Sequence, residues 1–166
     1  PLHSMREALA SFPGLEHRLE LVAEIAGVRY FNDSKGTNVG ATVKSLEGFP
    51  AGTVILIAGG LDKGADFRPL IPLVKERVKA AILIGRAREK LTAVLSGACP
   101  TKAVASLEEA VEAATGDAAP GDVVLLSPAC ASFDMFQDFE ERGRIFKAAV
   151  RRLSDRGSSE DAGGVR

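Results

Sequence analysis

Residues 32–38 hold the densest group of chemically capable side chains in this sequence, Asn-Asp-Ser-Lys-Gly-Thr-Asn. The segment follows a short apolar run and precedes a helical pattern at residues 39–46. A strand-to-helix connection needs only a glycine and an N-cap residue. Lys35 can neutralise a phosphate or a carboxylate, and the N-terminus of a helix capped by Thr37 or Asn38 also favours anions. Turn and cap roles explain each polar residue singly, but the whole set indicates a site that binds a charged small molecule.

A glycine-rich segment at residues 59–67, Gly-Gly-Leu-Asp-Lys-Gly-Ala-Asp-Phe, follows a second apolar run. Glycines let a backbone approach a ligand closely, and Lys63 is a point charge suited to an anion. A flexible loop with a solvated lysine explains the same residues. Neither the P-loop spacing nor the glycine fingerprint of dinucleotide-binding domains occurs in the chain. If the chain takes part in nucleotide chemistry, the phosphate cradle must therefore come from another domain.

Small residues dominate a third segment, residues 127–133, Ser-Pro-Ala-Cys-Ala-Ser-Phe, and leave room for a ligand. Ser132 is predicted to be the N-cap of the longest helix, at residues 133–153, whose N-terminus would attract an anion. Capping alone explains Ser132 equally well. Cys130 has no base near it, since both histidines are distant in sequence, and we predict a buried, inert thiol.

Apolar runs and helical periods alternate along the chain. The apolar runs lie at residues 19–25, 28–31, 53–58, 80–84, 103–104 and 123–126, and the helical patterns at 39–46, 70–78, 87–95, 107–114 and 133–153. Continuously apolar runs at 54–57 and 123–126 are typical of parallel strands buried on both faces. Gly27, between the first two runs, indicates a hairpin. We therefore predict an α/β fold, a doubly wound, mostly parallel six-stranded sheet with one antiparallel edge strand and helices on both faces.

The composition excludes several classes of protein. The chain has 166 residues, of which 46% are hydrophobic and 26% charged, and its net charge is −1. Balanced charge argues against a nucleic-acid or membrane surface, and no apolar run approaches the ~20 residues of a membrane-spanning helix. The two cysteines, Cys99 and Cys130, show neither metal nor disulfide spacing, which predicts a reducing cytosol and no metal site.

The two ends of the chain fall outside the alternating pattern. Residues 5–12 predict a short helix that Pro13 and Gly14 stop and that has no partner of its own. We expect residues 1–14 to be the tail of a preceding domain. Residues 154–166 are mostly Ser, Gly, Asp and Arg, which predicts a disordered tail. One globular domain is left, at residues 15–153.

Four segments together resemble one known family: residues 15–18 (Leu-Glu-His-Arg), 32–38, 59–67 and 127–134. They resemble the C-terminal domain of the Mur ligases, and within that family the members that join D-glutamate to UDP-N-acetylmuramoyl-L-alanine. The resemblance covers residues 15–153 with the motifs in order. It implies a Rossmann-like domain that binds the incoming amino acid and closes over ATP, which a central domain holds together with Mg²⁺.

The resemblance also implies a reaction and a setting. In the family, ATP phosphorylates the terminal carboxylate of the UDP substrate, and the amine of D-glutamate displaces phosphate through a tetrahedral intermediate. This step belongs to peptidoglycan precursor synthesis in the bacterial cytoplasm. The implied partners are ATP, D-glutamate, UDP-N-acetylmuramoyl-L-alanine and the N-terminal and central domains of the same enzyme. Because the family's P-loop lies in the central domain, the chain alone is expected to be inactive.

The matched motifs carry the family's residue roles to positions of this sequence. Arg18 is expected to contact the nucleotide and Asp33 its ribose. His17 and Lys35 are expected to be catalytic, beside the acyl end of the UDP substrate and the intermediate. The residues expected to hold D-glutamate are Thr37, Lys63, Ser132, Phe133 and Phe139, with Lys63 as the main carboxylate partner. His17, Arg18 and Phe139 rest on the resemblance alone, and the residue pattern by itself places Phe139 in the helix core.

Two other functions remain open at this point. Another amino-acid ligase of the same superfamily would require different residues at positions 37, 63 and 132. A regulatory domain that binds a nucleotide or an amino acid without chemistry is disfavoured by the unpartnered helix at residues 5–12. A nicotinamide dehydrogenase is disfavoured by the missing glycine fingerprint.

Overall fold

The computed structural model describes residues 14–161 of the chain, with side chains described through residue 156. Its strands form one six-stranded sheet in the order β1-β2-β6-β3-β4-β5. Strand β1 pairs antiparallel with β2, and the other four pairings are parallel. The predicted sheet with one antiparallel edge strand is confirmed. The strands are β1 (Glu20–Ile25), β2 (Val28–Asn32), β3 (Val54–Gly59), β4 (Val78–Ile84), β5 (Thr101–Ala103) and β6 (Val123–Leu126).

Helices cover both faces of this sheet, as predicted. They are α1 (Val39–Leu46), α2 (Ile71–Arg77), α3 (Arg88–Leu95), α4 (Leu107–Asp117) and α5 (Phe139–Asp161). Leu56 of β3 packs in a core with α1, α2 and α3, whereas Ile55 and Ile57 pack in a second core with α4 and α5. Successive side chains of a strand point to opposite faces, so a central strand covered on both sides must be apolar throughout. All six residues of β3 are buried.

Helix α5 begins six residues later than predicted. Its first residue is Phe139 rather than Phe133, and Ser132 is therefore not its N-cap. Asp138 Oδ1 accepts a hydrogen bond from the Glu141 N–H at 2.7 Å, and Glu141 Oε2 accepts one from the Gln137 N–H at 2.6 Å. This reciprocal arrangement satisfies donors of the first turn, so the helix starts where a carboxylate stands three residues before a glutamate.

The C-terminal end of α5 also differs from the prediction. The helix continues through Gly157 to Asp161, so the predicted disordered tail is wrong for residues 154–161. A glycine inside a helix destabilises it by about 1 kcal/mol relative to alanine, which is not enough to end the helix. Arg156 contacts Glu112 of α4 at 3.4 Å and ties this end to the neighbouring helix. Residues 162–166 and the helix predicted at residues 5–12 lie outside the described residues.

The strand order brings three loops side by side. Strand β6 lies between β2 and β3, so the β2 loop (residues 33–38), the β6 loop (127–138) and the β3 loop (60–67) follow three adjacent strands. Backbone hydrogen bonds of 2.9 Å join them: Ala129 N–H to the Gly36 carbonyl, and Leu61 N–H to the Ala131 carbonyl. A Cβ on Gly60, whose φ is +138°, would lie 2.3 Å from that same Ala131 oxygen. Ligands of open α/β sheets bind at this carboxyl edge.

Arg142 on α5 ties two of these loops to the helix. Its side chain is completely buried. Nε donates to Ser34 Oγ at 2.9 Å, Nη2 to the Ser34 carbonyl at 2.7 Å and Nη1 to the Cys130 carbonyl at 3.1 Å. Burial lowers the pKa of this guanidinium to about 10. The cation is held by neutral acceptors arranged around its fork, and these acceptors lose their donor if the arginine is removed.

Replacing Arg142 should therefore loosen the fold. We expect Arg142→Met to lower the free energy of unfolding by roughly 3 kcal/mol or more, because several buried acceptors lose their donors. Arg142→Lys keeps the positive charge but not the forked guanidinium, so its free energy of unfolding should lie between those of the parent and Arg142→Met. The exposed Arg152→Met on the same helix is the control and should change stability by less than about 0.5 kcal/mol. Urea unfolding measures all three, and equal losses for Met at both positions would contradict the assignment.

Both cysteine thiols are free, and burial raises their pKa values. The pKa of Cys130 is raised from 9.0 to about 12 by desolvation, and that of the half-buried Cys99 to about 11 for the same reason. A thiol that stays protonated is a poor nucleophile, so the predicted inert role of Cys130 agrees with its surroundings.

The raised pKa of Cys130 predicts a stability that depends on alkaline pH. In the unfolded chain the thiol ionises near pH 9, whereas in the folded chain it stays protonated to about pH 12. Below pH 9 the thiol is protonated in both states, and its ionisation does not change the free energy of unfolding. As pH rises from 9 toward 12, the folded state binds more protons than the unfolded state, so the free energy of unfolding falls. The urea midpoint, measured at intervals of about one pH unit between pH 8 and pH 10.5, should fall less steeply with pH in Cys130→Ala than in the parent. Parallel curves would refute this.

Candidate functional site

Two cavities open side by side on the carboxyl edge of the sheet. The Lys35 cavity has a volume of about 580 Å³, and the Lys63 cavity a volume of about 310 Å³. Thr37 and Phe139 line both cavities and form their common wall. A group bound in one cavity therefore lies next to a group bound in the other, across a single threonine and a single ring.

The Lys63 cavity gathers every residue that the sequence predicted for amino-acid binding. They come from three loops and the start of α5: Thr37, Lys63, Ser132, Phe133 and Phe139. Lys63 Nζ lies 5.9 Å from the centroid of the Phe133 ring, whose side chain is 63% exposed. Ser132 is buried. Two further residues of the lining, Asp138 and Glu140, place carboxylates in the same cavity as the lysine. The cavity can therefore receive a ligand with charges of both signs.

The Lys35 cavity is the more basic of the two. Its charged and polar lining comprises Arg18, Asp33, Lys35, Thr37, Asn38, Lys44 and Ser45. Lys35 Nζ lies 5.6 Å from the centroid of the Phe139 ring, which orients an otherwise exposed ammonium group. Asn38 caps α1 by accepting a hydrogen bond from Ala41 N–H at 2.9 Å, so Asn38, and not Thr37, is the cap. Three cations around one cavity favour an anionic ligand.

Asp33 holds the floor of the Lys35 cavity in place. Oδ2 accepts hydrogen bonds from Ser45 Oγ at 2.6 Å and Ser127 Oγ at 2.8 Å, and Oδ1 accepts one from the Leu19 N–H at 3.3 Å. These contacts join the β2 loop to α1, to the β6 loop and to the residue just before β1. A carboxylate oxygen accepts about two hydrogen bonds, so Oδ1 keeps one position for a ligand donor.

His17 and Arg18 stand in different surroundings although they are neighbours in sequence. Arg18 is exposed and lines the Lys35 cavity. His17 has 4% of its surface exposed and lies behind Phe139, with the two ring centroids 6.1 Å apart and edge-on. Arg18, the residue expected to contact the nucleotide, therefore lies at the Lys35 cavity, whereas His17 lies beneath the Phe139 ring that forms the cavity wall.

Asp62 shapes the β3 loop that presents Lys63. Its Oδ2 lies 2.6 Å from Lys90 Nζ, and its Oδ1 accepts a hydrogen bond from the Ala65 N–H at 2.8 Å. The Lys90 hydrogen bond lowers the pKa of this carboxyl and keeps it charged at neutral pH. Lys90 also donates to the Ala65 carbonyl at 2.7 Å. The loop is thus closed by a lysine from α3, which leaves Lys63 exposed at its tip.

Sequence reasoning missed three residues of the site: Asp138, Glu140 and Arg142. The Asp138-x-x-Glu141 spacing is a capping-box signal that would have placed the helix start correctly. Arg142 lies three residues after Phe139 and four before Phe146, on the apolar stripe of α5. A charged residue on the apolar face of a helix predicts that its side chain is buried and paired, and this pattern could have identified Arg142.

Neither a metal-binding cluster nor a membrane-spanning helix occurs within residues 14–161. Within residues 14–161, no group of three or more His, Cys, Asp or Glu side chains is placed to hold a metal ion. In the same part of the chain, no helix combines the length and apolar character needed to cross a membrane.

The chain matches a protein-family model and several curated relatives over most of its length. A family model described as "Mur ligase, glutamate ligase domain" matches residues 17–130. The UDP-N-acetylmuramoylalanine--D-glutamate ligase of Geobacter sp. (strain M21) is 57% identical over 145 residues, which are 87% of this chain and 32% of that protein. The protein of the same name from Nitrosococcus oceani is 54% identical over 154 residues, 92% of this chain and 34% of that protein.

Solved structures share the fold at lower identity. The UDP-N-acetylmuramate-alanine ligase of Thermotoga maritima matches with a TM-score of 0.62 at 16% identity, over 90% of this chain and 32% of that one. E. coli FolC in complex with ADP matches with a TM-score of 0.62 at 22% identity, over 93% and 36% of the two chains. These similarities show a Rossmann-like fold of the kind found in such ligases.

The chain spans about a third of the length of the curated relatives that it matches. The family model covers more than half of the chain, and the relatives exceed half identity over most of it. On these grounds the chain belongs to the Mur ligase family and corresponds to its glutamate ligase domain.

Proposed function

We propose that this chain is the amino-acid-binding domain of an ATP-dependent ligase that joins D-glutamate to UDP-N-acetylmuramoyl-L-alanine in peptidoglycan precursor synthesis. The observation that carries the proposal is the Lys63 cavity, where five residues expected to bind D-glutamate meet from separate loops. The names of the relatives, which are more than 50% identical, support the same reaction. The bacterial cytoplasm is the proposed location.

The Lys63 cavity has the size and charges for a small amino acid. A volume of about 310 Å³ stands at the low end of ligand pockets. Lys63 would bind a side-chain carboxylate of D-glutamate, and the hydroxyls of Thr37 and Ser132 would donate to its oxygens. Asp138 and Glu140 supply negative charge for the ammonium group. The rings of Phe133 and Phe139 enclose the carbon chain between these polar ends.

The Lys35 cavity would hold the activated end of the other substrate. ATP supplies the phosphoryl group that converts the terminal carboxylate to an acyl phosphate. Lys35 would neutralise charge on that acyl phosphate and on the tetrahedral intermediate, where positive groups lower the barrier most. Arg18 would contact the nucleotide phosphates, and Asp33 would accept from a ribose hydroxyl through the open position of Oδ1. Across Thr37 and Phe139, the ammonium group of D-glutamate would first release a proton to solvent, and the neutral amine would then attack the carbonyl carbon. A C–N bond would form, the C–O bond to the phosphate would break, and the second proton of the amine would leave with the phosphate.

ATP and Mg²⁺ would be held mainly by a part of the enzyme outside this chain. The chain has no P-loop sequence, and residues 14–161 offer no metal-holding cluster. Residues 1–14 would be the end of the preceding, central domain, and residues 15–153 the C-terminal domain proper. The N-terminal and central domains of the same enzyme are then its partners.

The reaction should depend on the identity of the amino acid. In the full-length parent protein with ATP and UDP-N-acetylmuramoyl-L-alanine, we expect phosphate release that requires D-glutamate and not L-glutamate. The 166-residue chain alone should release none, because it lacks a phosphate cradle. Release with a different amino acid would keep the ligase and overturn the substrate. Release by the chain alone, or none by the parent, would refute the proposal.

Removing the Lys63 charge should affect one substrate selectively. We expect Lys63→Ala in the full-length enzyme to raise the KM for D-glutamate by about 10- to 100-fold, since a charge-assisted hydrogen bond is lost. The KM for ATP should change little, because Lys63 lies outside the Lys35 cavity. Lys75→Ala, an exposed lysine on α2, is the matched control. Equal increases for both substrates would remove Lys63 from the amino-acid site.

A further inference from the structure

His17 is held from several sides although it touches neither cavity. Its φ is +64°, a conformation uncommon for residues with a side chain. Its N–H donates to Glu20 Oε2 at 3.0 Å, and its carbonyl accepts a hydrogen bond from the Lys35 N–H at 3.0 Å. Lys147 Nζ lies 2.7 Å from Glu16 Oε1 and 3.0 Å from Glu20 Oε1, which clamps both glutamates. A strained residue with so many constraints indicates a positional role.

The orientation of the His17 ring follows from its neighbour Asn32. Asn32 Oδ1 accepts a hydrogen bond from the Ser34 N–H at 3.1 Å, so its amide nitrogen faces the other way. That nitrogen lies 2.9 Å from His17 Nδ1 and 3.0 Å from Glu20 Oε2. The amide nitrogen can only donate, so Nδ1 accepts and the hydrogen of the neutral ring lies on Nε2.

Gly143 leaves the space that this ring occupies. A Cβ at position 143 would lie 2.1 Å from His17 Nδ1 and 2.7 Å from Cε1, much closer than atoms can approach. Gly143 is inside α5, where alanine would favour the helix by about 1 kcal/mol. The glycine thus lets the imidazole lie directly against the helix backbone.

We propose that His17 is a positioning residue for Lys35 and Phe139, and that Gly143 sets the depth of its ring. This inference rests on the proposed function of the two cavities. The ring supports Phe139 from the side away from the cavities, and Phe139 in turn lies 5.6 Å from Lys35 Nζ. The His17 carbonyl fixes the Lys35 backbone at the same time. A ring pushed outward by a methyl group would displace the common wall and the lysine together.

The first test adds one methyl group in two places. In the full-length enzyme, Gly143→Ala should lower kcat/KM for D-glutamate addition by about 100-fold, since small displacements of catalytic groups have effects of this size. Gly116→Ala, in helix α4, is the control and should leave activity unchanged, because its new methyl would meet no atom within 4 Å beyond its chain neighbours and its own helix backbone. Higher helix propensity alone would act alike at both positions, so a loss confined to Gly143→Ala would come from the contact with His17. Full activity in Gly143→Ala would overturn the proposal.

The second test removes the ring. His17→Asn suits the positive φ and lacks the bulk that meets position 143. If the ring acts by position, Gly143→Ala should cause no further loss in the His17→Asn background, and it should fold there even if the single variant does not. Additive losses would show that Gly143 acts through something other than His17.

A spectroscopic readout separates this inference from the proposed function. Imidazole ¹⁵N signals of the full-length protein, assigned by their loss in His17→Asn, should show an unprotonated Nδ1 in the parent. Gly143→Ala should shift these signals and Gly116→Ala should not. This result is expected whichever amino acid the enzyme uses. If the shifts are seen but D-glutamate gives no activity, only the proposed function is refuted. Unshifted signals in Gly143→Ala would refute the positioning.

Discussion

The buried guanidinium of Arg142 is the contact on which the site's arrangement depends. It binds the β2 loop through Ser34 and the β6 loop through the Cys130 carbonyl. A cation without water around it is stable only where acceptors are already arranged for it. The loops must therefore adopt their positions for α5 to pack, and α5 must pack for the loops to keep them. The Lys35 and Lys63 cavities both include residues from these coupled segments.

The common wall gives the two cavities their chemical relation. Phe139 is the first residue of α5, and Thr37 ends the β2 loop just before the cap of α1. Each is placed by a helix start, which is among the better defined points of a backbone. Because both cavities share Thr37 and Phe139, two ligands bound in them would be neighbours across these side chains.

Much of the fold could be predicted from the sequence because its strands are apolar on both faces. The runs in β3 and β6 have that character, and the alternation with helices leaves few topologies. The start of α5 was wrongly predicted because Ser132 and Asp138 are both good N-cap residues. Only Glu141, three residues after Asp138, distinguishes the two. Lys35, Lys63 and Ser132 stood out by residue type. Arg142 did not, and the meeting of residues from three loops depends on strand order, which periodicity does not encode.

The exposure of the cavity residues divides the site into fixed and replaceable parts. Phe139 and Thr37 are half-buried and Ser132 is buried, each tied into backbone that other elements share. Lys63 and Phe133 are exposed, and they face each other from separate loops. Substitution of these two exposed side chains would therefore change the rim of the Lys63 cavity and leave the buried and half-buried residues beneath it in place. The fold thus allows the ligand preference of this cavity to change at the rim while the backbone that shapes it is kept.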